Sequence, residues 1–95
     1  MKIRLSPDAI QDRRRVIGFL RGVNTNAARR AGHIITRSIG RLAETPMIGI
    51  DLGGLRHLYI PFGDSGYVVQ YRVDADAVVV ARIFHAREDR PAVSG

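Results

Sequence analysis

The chain has no cysteine, which removes disulfides, thiolate zinc clusters and cysteine nucleophiles together and suits a reducing compartment. Lysine is nearly absent as well: of fifteen basic residues, only Lys2 is not arginine. No apolar run approaches the ~20 residues that cross a bilayer. The opening segment, residues 1–6, is too short and too soon interrupted by Pro7 and Asp8 to be a secretory leader. A cytoplasmic protein without membrane contact is expected. The three histidines, His33, His57 and His85, show no metal-ligand spacing, so no metal is expected. Gly53-Gly54 precedes a strand instead of opening a helix, the wrong context for cradling a phosphate, and no serine nucleophile motif is present. No cofactor is expected. Internal repeats and low-complexity tracts are missing too, and 95 residues allow one domain, 1–95, with one core.

What the chain does have is arginine, concentrated on one segment. Residues 7–43 carry eight arginines against Asp8 and Asp12, a balance of +6, while the remaining seven basic and seven acidic residues cancel. Arginine suits planar, bidentate pairing with carboxylate or phosphate, so an acidic partner is one reading. A solvated helix face in an arginine-favouring composition is the other.

Local patterns assign the elements. Residues 2–5 alternate as a short strand. Ser6-Pro7-Asp8 then places a capping hydroxyl, a first-turn proline and a first-turn acid in the order that starts a helix. This helix runs to about Arg21 or Gly22. Its apolar residues Ala9, Ile10, Val16, Ile17, Phe19, Leu20 and Val23 cover nearly half the circumference, more than one packing partner needs. Arg13 projects inside that arc, where its stem can lie along apolar neighbours or its head can answer a carboxylate. Asn24-Thr25-Asn26 is expected to cap a second helix reaching about Ala43. Its stripe of Ala27, Ala28, Ala31, Ile34, Ile35, Ile39 and Leu42 predicts an antiparallel helical hairpin. Arg30, Arg37 and Arg41 line one flank of it.

After Glu44-Thr45-Pro46 a glycine-punctuated connector, residues 47–54, has too many turn residues for a long element. Strands are expected over 55–60, 67–73 and 77–84, joined by the turn 61–66 and by residues 74–76. Short links make them an antiparallel meander. The fold class is α+β, with order β-α-α-β-β-β and the hairpin packed on one face of a small, mainly antiparallel sheet. Alternation assigns Tyr67, Val69, Tyr71 and Val73, with Val79, Ala81 and Ile83, to the core face. Gln70, Arg72, Arg82 and Phe84 then occupy an open face suited to binding.

The chemistry left open is metal-free RNA cleavage, which needs a base, cations for the phosphate and an acid. His85 with Arg82 and Arg87 could supply these. Equally, His85 could hold the strand end while the arginines pair with Glu88 and Asp89.

The order of elements, together with Leu5-Ser-Pro-Asp-Ala9, Leu42-Ala-Glu-Thr-Pro46 with Gly49, Leu55-Arg56, Tyr67-Val-Val-Gln-Tyr-Arg72 and Ile83-Phe-His-Ala-Arg87, resembles the RelE/ParE superfamily of bacterial toxins over residues 3–90. Tyr-x-x-x-Tyr-Arg on one strand and the His-x-Arg exit of the next are most similar to the ParE branch. The resemblance implies the toxin of a type II toxin-antitoxin module, arresting growth by binding DNA gyrase and silenced by a ParD-like antitoxin. A heterotetramer or larger assembly is implied, with operator DNA reached only through the antitoxin. An antitoxin tail is expected on Arg13, Val16, Phe19, Val23, Arg30, Arg37 and Arg41, and the target on Arg56, Arg72, Arg82, Phe84 and Arg87. No catalytic residue is assigned under this reading. The alternative, a RelE-type ribosome-dependent mRNA endoribonuclease, would use His85, Arg82 and Arg87. Against it, Val68 stands where the nucleases carry an arginine and Lys2 is the one lysine. A third possibility is a degenerate toxin that keeps only antitoxin and operator binding.

Overall fold

A computed structural model describes residues 1–88. The elements run β1 (Lys2–Leu5), α1 (Pro7–Val23), α2 (Thr25–Arg41), β2 (Ile50–Leu52), β3 (Leu55–Phe62), β4 (Ser65–Val73) and β5 (Ala77–His85). Among them they build a five-stranded sheet in the order β1-β5-β4-β3-β2, with β1 parallel to β5 and the other pairs antiparallel.

The helix boundaries follow from their caps. Ser6 Oγ accepts the Ala9 N–H (3.0 Å), and Pro7 opens α1. Asn24 ends α1 by donating its N–H to Leu20 O (2.7 Å), and its own Oδ1 accepts the Ala27 N–H (3.0 Å). One extended residue thus closes one helix and caps the next. Thr25 and Asn26, expected in the turn, already belong to α2. Gly32 faces α1 so closely that a β-carbon there would lie 3.4 Å from Ile17 Cδ1, and this close approach sets the antiparallel hairpin.

The three-strand meander is corrected to four strands, because the connector contributes β2. Gly53 and Gly54 both take positive φ (72° and 99°), and Asp51 accepts the Gly54 N–H (3.1 Å), so the chain reverses tightly enough for β2 to pair with β3. Three paired residues are too few to show as a pattern in sequence. The 61–66 turn also shrinks: Pro61 and Phe62 stay in β3, and the reversal falls at Gly63-Asp64, where Gly63 has φ 61°.

The core face of β4 is Tyr67, Val69 and Tyr71, as the alternation predicts. On β5 the assignment shifts. Gln70 pairs with Arg82 but Tyr71 with Val80, so Ala81 is an extra residue, and the pleat is out of step across it. Val78 and Val80 therefore point into the core ahead of the bulge and Ile83 beyond it, while Val79 does not. α2 supplies Ala31, Ile35 and Ile39 from above, and α1 supplies Ala9 and Val16.

The expected open face is not open at its centre. Val68, Gln70 and Phe84 are buried. Val68 lies between Tyr59 and Phe84, and the Tyr59 ring leans over Gly66, where a β-carbon would meet it at 2.7 Å. Gln70 Nε2 is hydrogen-bonded to His57 Nε2 at 3.1 Å.

Candidate functional site

β1 ends at Leu5, which leaves the outer edge of β5 without a strand partner among the described residues from Ala81 onward. An exposed edge is a row of unsatisfied donors and acceptors, and α1 satisfies this one with side chains. Ser6 Oγ donates to Ala81 O (2.8 Å), Asp12 Oδ2 accepts the Ile83 N–H (2.9 Å), and Arg15 Nη2 donates to Ile83 O (3.3 Å). Asp12 also accepts Nε and Nη2 of Arg82, at 2.7 and 3.0 Å, a two-point pairing. Burial alone would raise the Asp12 pKa. The bonds from Arg82, from the Ile83 N–H and from Arg15 outweigh burial and hold the carboxyl below its ordinary value of 3.8. Arg15 reaches on to Glu88, whose other oxygen accepts the His85 N–H at 2.9 Å, and this bond to Glu88 pushes the Arg15 pKa up.

This seam decides where the proposed catalytic groups point. Arg82 is drawn round the strand edge to Asp12. His85 stands edge-on to the Tyr67 ring (centroids 5.4 Å apart), and its Nδ1 accepts the Arg87 N–H at 3.1 Å. The Arg87 guanidinium turns to the β3–β4 reversal, donating to Asp64 O at 3.2 Å. Arg82 is thereby held apart from His85 and Arg87, so the three do not converge on one phosphate position.

Three members of the expected target surface are buried or already partnered within the fold. Phe84 is only 2% exposed, Arg82 is engaged by Asp12, and Arg56 holds the connector by donating to Gly49 O (2.8 Å) and Met47 O (3.2 Å). That connector is further clamped by Tyr71, whose buried hydroxyl donates to Pro46 O (2.7 Å) and accepts the Gly49 N–H (2.8 Å). A β-carbon on Gly49 would sit 2.7 Å from that hydroxyl. Pro46, Gly49, Arg56 and Tyr71, scattered in sequence, thus form one structural knot. Arg72 and Arg87 remain exposed, with Arg72 paired to Asp74 at 3.2 Å.

Between α1, the β3–β4 reversal and the exit of β5 lies a groove of about 680 Å³. Val16, Phe19, Leu20, Phe62 and Tyr67 give it apolar walls, and Arg15, Asp64, His85, Arg87 and Glu88 give it a charged rim. Burial, with a smaller contribution from the nearby Glu88 charge, raises the Tyr67 pKa. Phe19 and, one turn later, Val23 are 73% and 72% exposed, whereas Val16 is spent in the core. The surplus apolar arc of α1 is therefore real at Phe19 and Val23. Such a groove can seat an amphipathic segment, with apolar anchors on the walls and carboxylates at Arg15 and Arg87.

The arginines expected beside those anchors divide between other surfaces. Arg13 and Arg37 line a second groove, between α1 and α2, while Arg30 and Arg41 line neither groove. Asp12 and Arg15 were not singled out by sequence, and Glu88 was expected to pair with Arg82 or Arg87 instead of Arg15. Asp12 had a readable signal: it falls in line with Ala9 and Val16 on the face of α1 that the core covers, where an acid needs a partner. The partner of Glu88 had none, since only the fold brings it to Arg15, while Asp89 lies outside the described residues. Among the described residues no group of three or more His, Asp or Glu side chains is arranged to hold a metal, and no helix is long and apolar enough to cross a membrane.

A family profile described as the ParE toxin of type II toxin-antitoxin systems, parDE, matches residues 3–90. Toxin RelE3 of Caulobacter vibrioides is 39% identical over 89 residues, 93% of this chain and 97% of that protein. Toxin RelE1 of the same organism is 37% identical over 87 residues, 90% of this chain and 94% of its own length. A solved structure of the chromosomal ParDE toxin-antitoxin system from P. aeruginosa superposes with a TM-score of 0.74 at 17% identity, covering 90% of this chain and 95% of its counterpart, a likeness of fold.

Proposed function

Because the chain belongs to the ParE toxin family of type II toxin-antitoxin systems, we propose that it arrests growth by binding DNA gyrase instead of cutting RNA, and that an antitoxin silences it by occupying the α1 groove. The observation that carries this reading is the commitment of Arg82 to Asp12. In-line cleavage by a 2′-hydroxyl needs cations converging on one phosphate, and here one of the two candidate cations is held by a buried carboxylate while the other faces Asp64. Arg72 and Arg87, both exposed, are the target contacts that remain from the expected set. The antitoxin supplies an amphipathic segment whose apolar side chains cover Phe19 and Val23 and whose acids meet Arg15 and Arg87.

The test is a supercoiling assay with purified gyrase and the full chain freed of antitoxin. Inhibition, weakened by Arg72→Ala and Arg87→Ala, is the expected result. Unimpaired supercoiling at toxin concentrations that arrest growth overturns the proposal.

The RelE names of the two Caulobacter relatives favour a second reading, mRNA cleavage on translating ribosomes with His85 and Arg87 as participants. Transcripts cut in toxin-arrested cells, and left intact by Arg87→Ala, would establish it. Intact transcripts exclude it.

A further inference from the structure

We propose that the groove between α1 and α2 is a binding site for the phosphate backbone of duplex DNA. It is about 700 Å³ in volume and lies on the flank of α1 away from Phe19, so it is separate from the antitoxin groove and does not depend on the gyrase reading. Its chemistry is set by Arg13 and Arg21 on the α1 wall and Arg29 and Arg37 on the α2 wall.

Position and charge both point to a polyanion. Arg13 and Arg21 are eight residues apart, as are Arg29 and Arg37, so each pair spans ~12 Å of helix at 1.5 Å per residue. Arg13 donates to Thr36, and Ile17 lies against Gly32; this register sets Arg21 opposite Ala28, beside Arg29. The four arginine positions therefore mark the corners of a rectangle on the two helices, whose axes lie ~8–10 Å apart across it. The phosphates of one strand of duplex DNA rise ~3.4 Å each along the helix axis, so a wall laid parallel to that axis spans three to four of them. No carboxylate lines the groove, and among the described residues none of the four arginines is in an ion pair. Arg13 Nε is buried without a hydrogen-bond partner. The one acid of α1 that faces inward, Asp12, is committed to β5.

The rest of the lining separates duplex DNA from other polyanions. An acidic amphipathic helix needs an apolar strip to rest on, but the floor here is Ala28 and Gly32 with a half-buried Ile17, and the two most exposed apolar side chains of α1, Phe19 and Val23, face the opposite flank. Single-stranded nucleic acid is held chiefly by successive bases stacked on several aromatic rings, and the groove lining offers one ring, that of His33, with no Phe, Tyr or Trp beside it. Thr25 and Thr36 add hydroxyls of the kind that contact phosphate oxygens. The toxin would then touch DNA directly, in contrast to the expectation that DNA is reached only through the antitoxin.

Fluorescence anisotropy with the antitoxin-free full chain and a labelled mixed-sequence duplex tests this. Four phosphate contacts give a slope of log affinity against log salt of about −3.6, an affinity loss of about 150-fold from 50 to 200 mM NaCl. Arg21→Gln with Arg37→Gln, both at exposed positions, should reduce the slope to about −1.8 and the loss to about 12-fold. Arg30→Gln with Arg41→Gln removes the same charge outside the groove and should leave the slope unchanged. Circular dichroism melts confirm that both variants fold; if the double variant does not, Arg21→Gln and Arg37→Gln are compared singly, each expected to change the slope by about 0.9. Equal effects of the two double variants, tighter binding of single strands than of duplex, or tighter binding of a poly-glutamate peptide than of duplex would each overturn the proposal.

Discussion

Replacing Asp12 with alanine removes the buried carboxylate that joins α1 to the bulged half of β5. The carboxylate is 4% exposed and receives the Ile83 N–H at 2.9 Å, Arg82 at 2.7 and 3.0 Å and Arg15 at 3.3 Å. Alanine leaves the Ile83 amide without its partner at a covered edge, which costs about 1–3 kcal/mol. Stranding one partner of a fully buried ion pair would cost ~3–5 kcal/mol. The Arg82 side chain, however, is 28% exposed and recovers part of its hydration. The total is then about 2–4 kcal/mol, a large share of the ~5–15 kcal/mol that holds a domain folded. At ~4–8 °C per kcal/mol for a domain of this size, the melting temperature falls by roughly 10–25 °C in calorimetry or a circular dichroism melt. Asp12→Asn keeps an acceptor for the Ile83 amide and should lose about half as much. The pH dependence has a definite sign. The folded carboxyl titrates below its ordinary 3.8, so its contribution is complete above that value and disappears as pH falls through the lower, folded value. Wild-type stability should fall across that acid window more steeply than that of Asp12→Asn. A melting temperature within 3 °C of wild type for the alanine variant, or identical acid limbs, would refute the assignment of Asp12 as the seam of the fold.

Two further outcomes test the groove and the connector. Phe19→Ser with Val23→Ser removes apolar surface that the fold itself leaves exposed. Calorimetric titration with the cognate antitoxin should show ~30–700-fold weaker binding, since each of the two lost anchors is worth about 1–2 kcal/mol. The melting temperature of the toxin alone should be unchanged, and unaltered affinity would place the antitoxin elsewhere. Gly49→Ala forces a β-carbon to within 2.7 Å of the Tyr71 hydroxyl and should cost about 1–3 kcal/mol in urea unfolding, the range of other overpacked sites. Pairing it with Tyr71→Phe should recover little, because that change strands the Gly49 amide and the Pro46 carbonyl.

The motif residues that carry the family resemblance turn out to be mostly architectural. Ser6 caps α1 and bonds to Ala81 O, and Pro46, Gly49, Arg56 and Tyr71 tie the connector to β3 and β4. Such residues are legible as a signature for the reason that makes them poor guides to a binding surface: each has one geometric task inside the fold. Two failures of the sequence reading have separate physical sources. The bulge at Ala81 moved Val79 out of the core and Val80 into it, because alternation propagates only while the pairing register holds. β2 went unseen because two left-handed glycines and a three-residue pairing make a strand without any hydrophobic period.

Sequence by itself determined both helices, their caps, the strands of the meander and the excess of apolar surface on α1, since these depend on contacts within a few residues along the chain. Tertiary structure alone decided the pairing of Asp12 with Arg82 and the burial of Phe84. It also decided the convergence of Arg13, Arg21, Arg29 and Arg37 on one groove while Arg30 and Arg41 stand apart. Each of these brings together residues from separate elements, and their meeting depends on the register of the helical hairpin and of the sheet, which no local pattern encodes.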